Sequence, residues 1–273
     1  ILFLWEAWQK ENRPPPAPAQ QAQSTPAAPA GAVPSGTAAP TPAAPGAVPA
    51  TPPSSTEAPA SREKIVVTTD VLEAEIDPVG GDLVRVKFHK YKDATDPNKD
   101  LVLLGPEHRY AAQSGFTGAG LPNHRTVFTS KGTRFELAPG KDTIDVVLEA
   151  DGANGTHATK TYTFRRGNYL VDLTQELSNG GTAPVETSAY FHLTRDDKAP
   201  PGDQYMVSTF TGPAVYSDST KYHKMAWSDL AKGKPGLPTG MIDNGWIAMV
   251  QHYFVSAWVP QPTTQRELYA ERV

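Results

Sequence analysis

The sequence predicts an all-β domain over residues 62–273, built as an antiparallel sandwich or barrel. Three observations carry this. Apolar and polar residues alternate with period two in stretch after stretch from Lys64 onward, the mark of strands with one buried face. Gly-, Asn- and Pro-rich turn signals recur every ten residues or so, the spacing of an antiparallel sandwich or barrel. Stretches with a helical period are nearly absent; the exception is KMAWSDLAKG, residues 224–233.

The chain opens with ILFLWEAWQKENR. Ile1, Leu2, Phe3 and Leu4 suit a membrane interior, and Trp5 and Trp8 suit its interface with water. Glu6, Lys10, Glu11 and Arg13 then return the chain to water. A spanning helix needs ~20 apolar residues, so this stretch is too short to anchor itself. We read residues 1–13 as the C-terminal end of a transmembrane helix rather than the tail of a signal peptide, which ends in small residues.

Residues 14–61 form the next element. They hold about half of the chain's 27 prolines, with Ala, Thr, Ser and Gly between them, and no charge stands between Arg13 and Glu57. Such a composition buries too little apolar surface to offset chain entropy. The expectation is a disordered linker of mixed polyproline and coil character, with a mean span of ~40 Å as coil and ~145 Å when extended.

From residue 62 the strands begin. KIVVTTDVLEAEIDPVGGDLVRVKFHKY alternates on either side of Pro78-Val79-Gly80-Gly81. TIDVVLEA and THATKTYTFRR flank DGANG, where Asn154-Gly155 signals a two-residue hairpin. NYLVDLTQEL and VETSAYFHLT flank SNGGTAP, read as another turn. GFTGAGLP, residues 115–122, reads as a surface loop, because no strand leads through it into a helix. GWIAMVQHYFVSAWVP has apolar residues on both alternating sets and is too short to cross a bilayer. It reads as one strand buried on both faces and bent near Gln251-His252. Trp246 and Trp258 are expected in the core; Trp227 sits in more polar surroundings.

The chemistry of the sequence is sparse. The seven histidines show no metal-ligand spacing, and neither a nucleophile elbow nor a phosphate-binding loop is present. Asp196-Asp197 and Asp142/Asp145 read as solvated turn caps. A formal net charge of −4 gives no basic footprint for nucleic acid. The absence of cysteine excludes disulfides and thiolate metal sites. The sequence therefore nominates no catalytic, cofactor-binding or metal-binding residue and no cofactor.

Five stretches, taken in order, resemble the periplasmic domain of the YidC family of bacterial inner-membrane insertases. They are VVTTDVLEAEIDPVGGDLVRV, YAAQSGFTG, KTYTFRRGNYLVDL, FTGPAVYS and GWIAMVQHYFVSAWVP. The resemblance covers residues 62–273, and the stub and linker suit the arrangement expected ahead of that domain. It implies a β-supersandwich similar to galactose-mutarotase-like folds, truncated here before its last strands and closing helix. It implies a non-enzymatic protein of the inner membrane, with this domain in the periplasm. Its partners would be nascent inner-membrane proteins, components of the Sec translocon and, through the transmembrane helix, the bilayer. Insertion in the family runs through a groove of later transmembrane helices bearing a key arginine, and no residue of this chain is assigned that role. An accessory interaction domain is thus the expectation. The alternatives are a carbohydrate-binding or mutarotase-like domain, which needs a histidine and a carboxylate converging on a sugar, and a generic tethered module.

Overall fold

A computed structural model describes residues 63–200, 209–251, 253–262 and 264–272. The stub and linker expected over residues 1–61 lie outside this set. The strands are β1 (Ile65–Thr68), β2 (Leu72–Asp77), β3 (Asp82–Lys92), β4 (Asp100–Leu104), β5 (Ala111–Phe116), β6 (Thr129–Ser130), β7 (Arg134–Glu136) and β8 (Thr143–Asp151). They continue with β9 (Thr156–Arg165), β10 (Val171–Asn179), β11 (Ala189–Thr194), β12 (Thr211–Tyr216), β13 (His223–Lys224), β14 (Trp246–Gln251) and β15 (Phe254–Trp258). Among the described residues one short α-helix, α1 (Trp227–Ala231), falls where the helical period predicts it.

The strands make a β-sandwich from three sheets. The first runs β11-β5-β3-β2-β1-β7, with β4 beside β3; the second runs β10-β9-β8-β6; the third runs β13-β12-β14-β15. Pairing is antiparallel except between β1 and β7, which run parallel. Alternation in the sequence becomes alternation in burial. In β2, Leu72, Ala74 and Ile76 are buried while Glu73, Glu75 and Asp77 are half-exposed. In β9, Ala158, Tyr162 and Phe164 point inward against Val146 and Leu148 of β8 and Val67 and Ile76 of the first sheet. Each such side chain contributes about 1.5–3 kcal/mol by leaving water. Met249 of the third sheet joins this core, and a smaller cluster of Val215, Met225 and Leu230 forms beneath α1.

Three turn expectations need correction. Asn154 and Gly155 do adopt positive φ, 58° and 76°. The hairpin is nonetheless wider than two residues, because Gly152 N–H donates to Thr156 O and Ala153 N–H donates to Gly120 O, docking the tip onto a neighbouring loop. SNGGTAP joins strands that do not pair. β10 belongs to the second sheet and β11 to the first, so residues 180–188 cross between layers. Val185 packs on the core and Thr117 N–H donates to Ser188 O, holding that crossing in place. GWIAMVQHYFVSAWVP is a hairpin of β14 and β15, with Gln251 opposite Phe254, where one bent strand was expected. No Gly, Pro or Asn marks the reversal, which leaves composition silent about it. The glycine-rich loop is exposed over Thr117–Gly120, but Leu121 and Pro122 are buried.

The turn between β2 and β3 is tightly enclosed. Gly80 has φ +85°, and a Cβ there would lie 2.5 Å from His124 O. Gly140 has φ +78° with nothing within 4 Å. Both Gly→Ala changes incur left-handed strain of about 1–2 kcal/mol, and only Gly80→Ala adds a backbone clash. Thermal unfolding should show Gly140→Ala lowering Tm by ~2–8 °C, and Gly80→Ala lowering it by clearly more.

Candidate functional site

One row of inward-facing residues departs from the apolar rule. On β9 the buried positions are Thr156, Ala158, Lys160, Tyr162 and Phe164, which places a lysine in the middle of the core at 0% exposure. Its ammonium donates to Gly80 O at 2.5 Å and Ser114 O at 2.9 Å, and it stands 5.0 Å from the centre of the Phe128 ring. Asp82, 3% exposed at the start of β3, places Oδ1 3.9 Å from the same ammonium. Asp82 also accepts from Gln113 Nε2 at 2.6 Å and Ser114 N–H at 3.4 Å. Tyr162 donates to Gly81 O at 2.7 Å. The second sheet thus bonds to backbone that the double-glycine turn leaves bare.

The network extends toward β11. His192 Nε2 lies 2.8 Å from Gln113 Oε1; since the Gln113 amide nitrogen faces Asp82, its oxygen accepts and His192 carries its proton on Nε2. The Tyr190 hydroxyl accepts from His124 N–H at 3.0 Å and lies 2.5 Å from His124 Nδ1. The Tyr190 and His192 rings stack at 5.6 Å, and His124 and His192 meet edge to face at 5.6 Å.

Burial sets the electrostatics. It raises the Asp82 carboxyl to about 6, against the pull of Lys160, Gln113 and Ser114. It lowers the Lys160 ammonium to about 8, against the attraction of Asp82. His192 falls to about 4 through burial and then the neighbouring His124; His124 falls through burial and then Arg125. At neutral pH the arrangement is an ion pair beside two neutral imidazoles. Asp82 and Lys160 are closed to solvent, so the pair fastens one layer to the other rather than meeting a substrate. Two surface hollows of about 420 and 410 Å³ lie elsewhere, one lined by 235–240 and 267–270, the other including Ser130, Lys131 and Asp145. Among the described residues no three His, Asp or Glu side chains converge in a way that would hold a metal ion.

The sequence reading missed this cluster. Its one local signal was Lys160 at an inward position of β9; the His124–His192 meeting depends on pairing across the first sheet. The carboxylates divide. Asp196 caps Lys198 N–H but also meets His108 Nδ1 at 3.0 Å, so it is more than a solvated cap. Asp142 is exposed just before β8, whereas Asp145 is exposed within β8, opposite Thr163, and accepts from its Oγ1 at 2.6 Å, so it is not a turn cap. Of the tryptophans, Trp258 packs on the core and donates to His192 O, and Trp227 packs on it and donates to Thr211 O. Trp246 departs from the core expectation: it is half-buried and stacks on Tyr216 at 6.0 Å, with exposed Tyr222 beside it.

An accessible feature lies at one end of the sandwich. Tyr91 packs edge to face on Phe254 at 5.3 Å and Phe88 on Tyr169 at 4.9 Å, bringing together the end of β3, the β9–β10 turn and the β14–β15 hairpin. Tyr91, Tyr169, Leu170 and Tyr253 are exposed there. Clustered exposed aromatics mark contact surfaces.

Comparison with known proteins then decides the family. The YidC periplasmic domain family matches residues 64–273. The chain belongs to the YidC family. A membrane protein insertase YidC of Dechloromonas aromatica is 46% identical over 272 residues, covering 100% of this chain and 48% of that protein. Its counterpart in Nitrosospira multiformis is 40% identical over 100% of this chain and 50% of its own length. That of Cupriavidus metallidurans is 46% identical over 77% of this chain and 38% of its own. The chain therefore spans about half the length of the YidC relatives it matches. The matched region is the YidC periplasmic domain of an inner-membrane protein, which places the sandwich in the periplasm.

Two outcomes follow from the ion pair. Lys160→Met leaves a buried carboxylate without its cation and should cost about 3–5 kcal/mol in urea unfolding. The second concerns pH. Because the folded Asp82 pKa is raised from 3.8 to about 6, its contribution to stability is full below pH ~4 and is lost as pH rises through ~6. Asp82→Asn removes that dependence. The stability difference, wild type minus Asp82→Asn, should fall by up to ~1.4 kcal/mol per pH unit between pH 4 and 6. His192 titrates in the opposite sense in both proteins and cancels in the difference.

Proposed function

We propose that this chain is part of a membrane protein insertase and that its β-sandwich is an accessory interaction domain rather than the route of insertion. The family match over residues 64–273 carries this reading, together with relatives whose name is membrane protein insertase. Two structural observations support the accessory role. No helix among the described residues is long and apolar enough to cross a membrane. The Asp82–Lys160 pair is sealed between layers, whereas the aromatic end is open to macromolecular contact.

In this reading the β-sandwich of residues 62–273 works in the periplasm, and the stub and linker expected over residues 1–61 lie outside the described residues. Partners are nascent inner-membrane proteins and Sec translocon components, met through surface aromatics such as Tyr91, Tyr169 and Tyr253. No cofactor takes part. Insertion itself is assigned to transmembrane parts of the full protein outside these residues.

Deleting residues 65–273 from the full-length protein should leave insertion of a simple client at or near its normal level, read by protease protection in inverted vesicles. Loss of insertion would overturn the accessory role. A photo-crosslinker at Tyr91 or Tyr253 of the full-length protein should capture a Sec component or an emerging client, and silence at both positions would remove the aromatic end as the contact surface.

A further inference from the structure

β8 is only half covered on the side away from β9. Gly152 N–H donates to Thr156 O and Arg166 N–H donates to Asp142 O, which extends the β8–β9 ladder through its even-numbered positions. In an antiparallel strand the backbone groups of alternate residues point to opposite neighbours, so the odd positions of β8 face the other way. Glu149 does so, because its carbonyl accepts from Thr129 Oγ1 of β6. β6 has only two residues, and its pairing ends at Ser130↔Leu148. From Val147 back to Thr143 no strand among the described residues pairs with that side of β8.

Beside this open half lies the hollow of about 410 Å³. Asp145, Val147 and Glu149 line it from β8, and Ser130, Lys131 and Phe135 line it from the segment that follows β6 and from β7. Phe135 and Val147 are half-buried, and Phe135 packs on the core. The Ser130 hydroxyl is out of water and has no hydrogen-bond partner, so its desolvation goes uncompensated. The charges differ from those of the first sheet. There the outward carboxylates are paired, Asp77 with Lys64, Glu75 with Arg85 and Glu73 with Lys87. Here Asp145 accepts only from the Thr163 hydroxyl, and Glu149 meets no cation among the described residues.

We infer that this hollow takes an extended segment of another polypeptide, which lays its backbone along the open half of β8 as an added strand. In such recognition main-chain bonds to a sheet edge give affinity and alternate side chains give specificity. The open half runs from Thr143 to Val147, so about five residues of the segment lie along it. The residue directly opposite Asp145 carries its side chain on the same outward face, about 5 Å from it, where Lys or Arg meets a carboxylate that lacks a cation. Its two neighbours point inward, as Ile144 and Val146 do, and reach the core side of the hollow where Phe135 packs. Those two are apolar. The pattern is apolar–basic–apolar.

The charges also select the occupant. An edge bordered by Asp145, Lys131 and Glu149 stands open in water without recruiting strands indiscriminately, so the segment comes and goes. The linker over residues 14–61 is a poor occupant. It has no charge between Arg13 and Glu57 to meet Asp145, and its prolines lack the N–H that a ladder needs. A second copy is disfavoured by the formal net charge of −4. The occupant is an unfolded segment of a partner chain, the form in which a client emerges. Only that source rests on the accessory role; the peptide measurements below read the hollow itself, so either reading can fail without the other.

The test uses the full-length protein in nanodiscs and a fluorescein-labelled, end-capped peptide, Thr-Val-Lys-Val-Thr. Fluorescence anisotropy should show saturable binding with Kd below ~1 mM. Methylating one alternate set of peptide amides should weaken binding by ~10-fold, and methylating the other set should leave it unchanged, as expected of a strand bonded along one edge. A Glu-centred peptide should bind ~5-fold more weakly than the Lys-centred one, and Asp145→Lys should reverse that order. The Asp145 amide should exchange fast without peptide and slowly with it, and a photo-crosslinker at Lys131 should mark the peptide. Absence of saturable binding overturns the inference. So does equal loss from both methylated sets, or a peptide order that Asp145→Lys leaves unchanged. Protection of the Asp145 amide without peptide overturns it as well: independent of concentration, it shows the edge covered from within the polypeptide, and growing with concentration, it shows a second copy.

Discussion

A lysine ammonium at 0% exposure is the constraint on which the rest of this domain is arranged. An unpartnered charge in such a place would be ruinous, so the fold must bring oxygen atoms to it. They come from the opposite layer: Gly80 O from the turn before β3, Ser114 O from β5, and the Asp82 carboxylate beyond hydrogen-bond range but within Coulombic reach. This requirement explains the turn that supplies Gly80. At φ +85° a Cβ on Gly80 would lie 2.5 Å from His124 O and 2.6 Å from Asp82 Oδ2, so glycine alone fits there, and the following Gly81 offers its own carbonyl to Tyr162. The two layers of the sandwich are therefore registered by directional bonds as well as by apolar contact, which alone would tolerate sliding.

Much of the scaffold was legible from local pattern. β1, β2 and β3 stand where alternation places them, around the Pro78–Gly81 turn, and β8 and β9 flank the DGANG turn. In these cases the partner strand is the next one along, so periodicity and turn chemistry are enough. The reading failed where partners are remote. SNGGTAP carries the signature of a turn, yet nothing in it says whether the flanking strands pair; Val185 and the Thr117–Ser188 contacts decide that from a distance. The β14–β15 reversal carries no turn residue. The polar cluster was readable only at Lys160, a charge in an apolar row, while His124, His192 and Tyr190 assemble through the β5–β11 ladder.

Membership in the YidC family gives this division a purpose. The interior holds an Asp82–Lys160 pair that is closed to solvent and joins the layers. The surface carries aromatic side chains drawn from three separate segments. The accessory interaction role proposed above rests on this combination of a closed interior pair and an open aromatic end.

The layer crossing over residues 180–188 also governs the order of assembly. β5 pairs with β11, whose residues come more than seventy positions later. When a chain emerges N-terminus first, the β1–β3 meander and the β8–β9 hairpin form early from neighbours. The first sheet stays open at β5 until β11 arrives, and only then do Gln113 and His192 close the cluster. The first sheet therefore closes only through a long-range pairing, and until then its open edge at β5 is exposed to wrong partners.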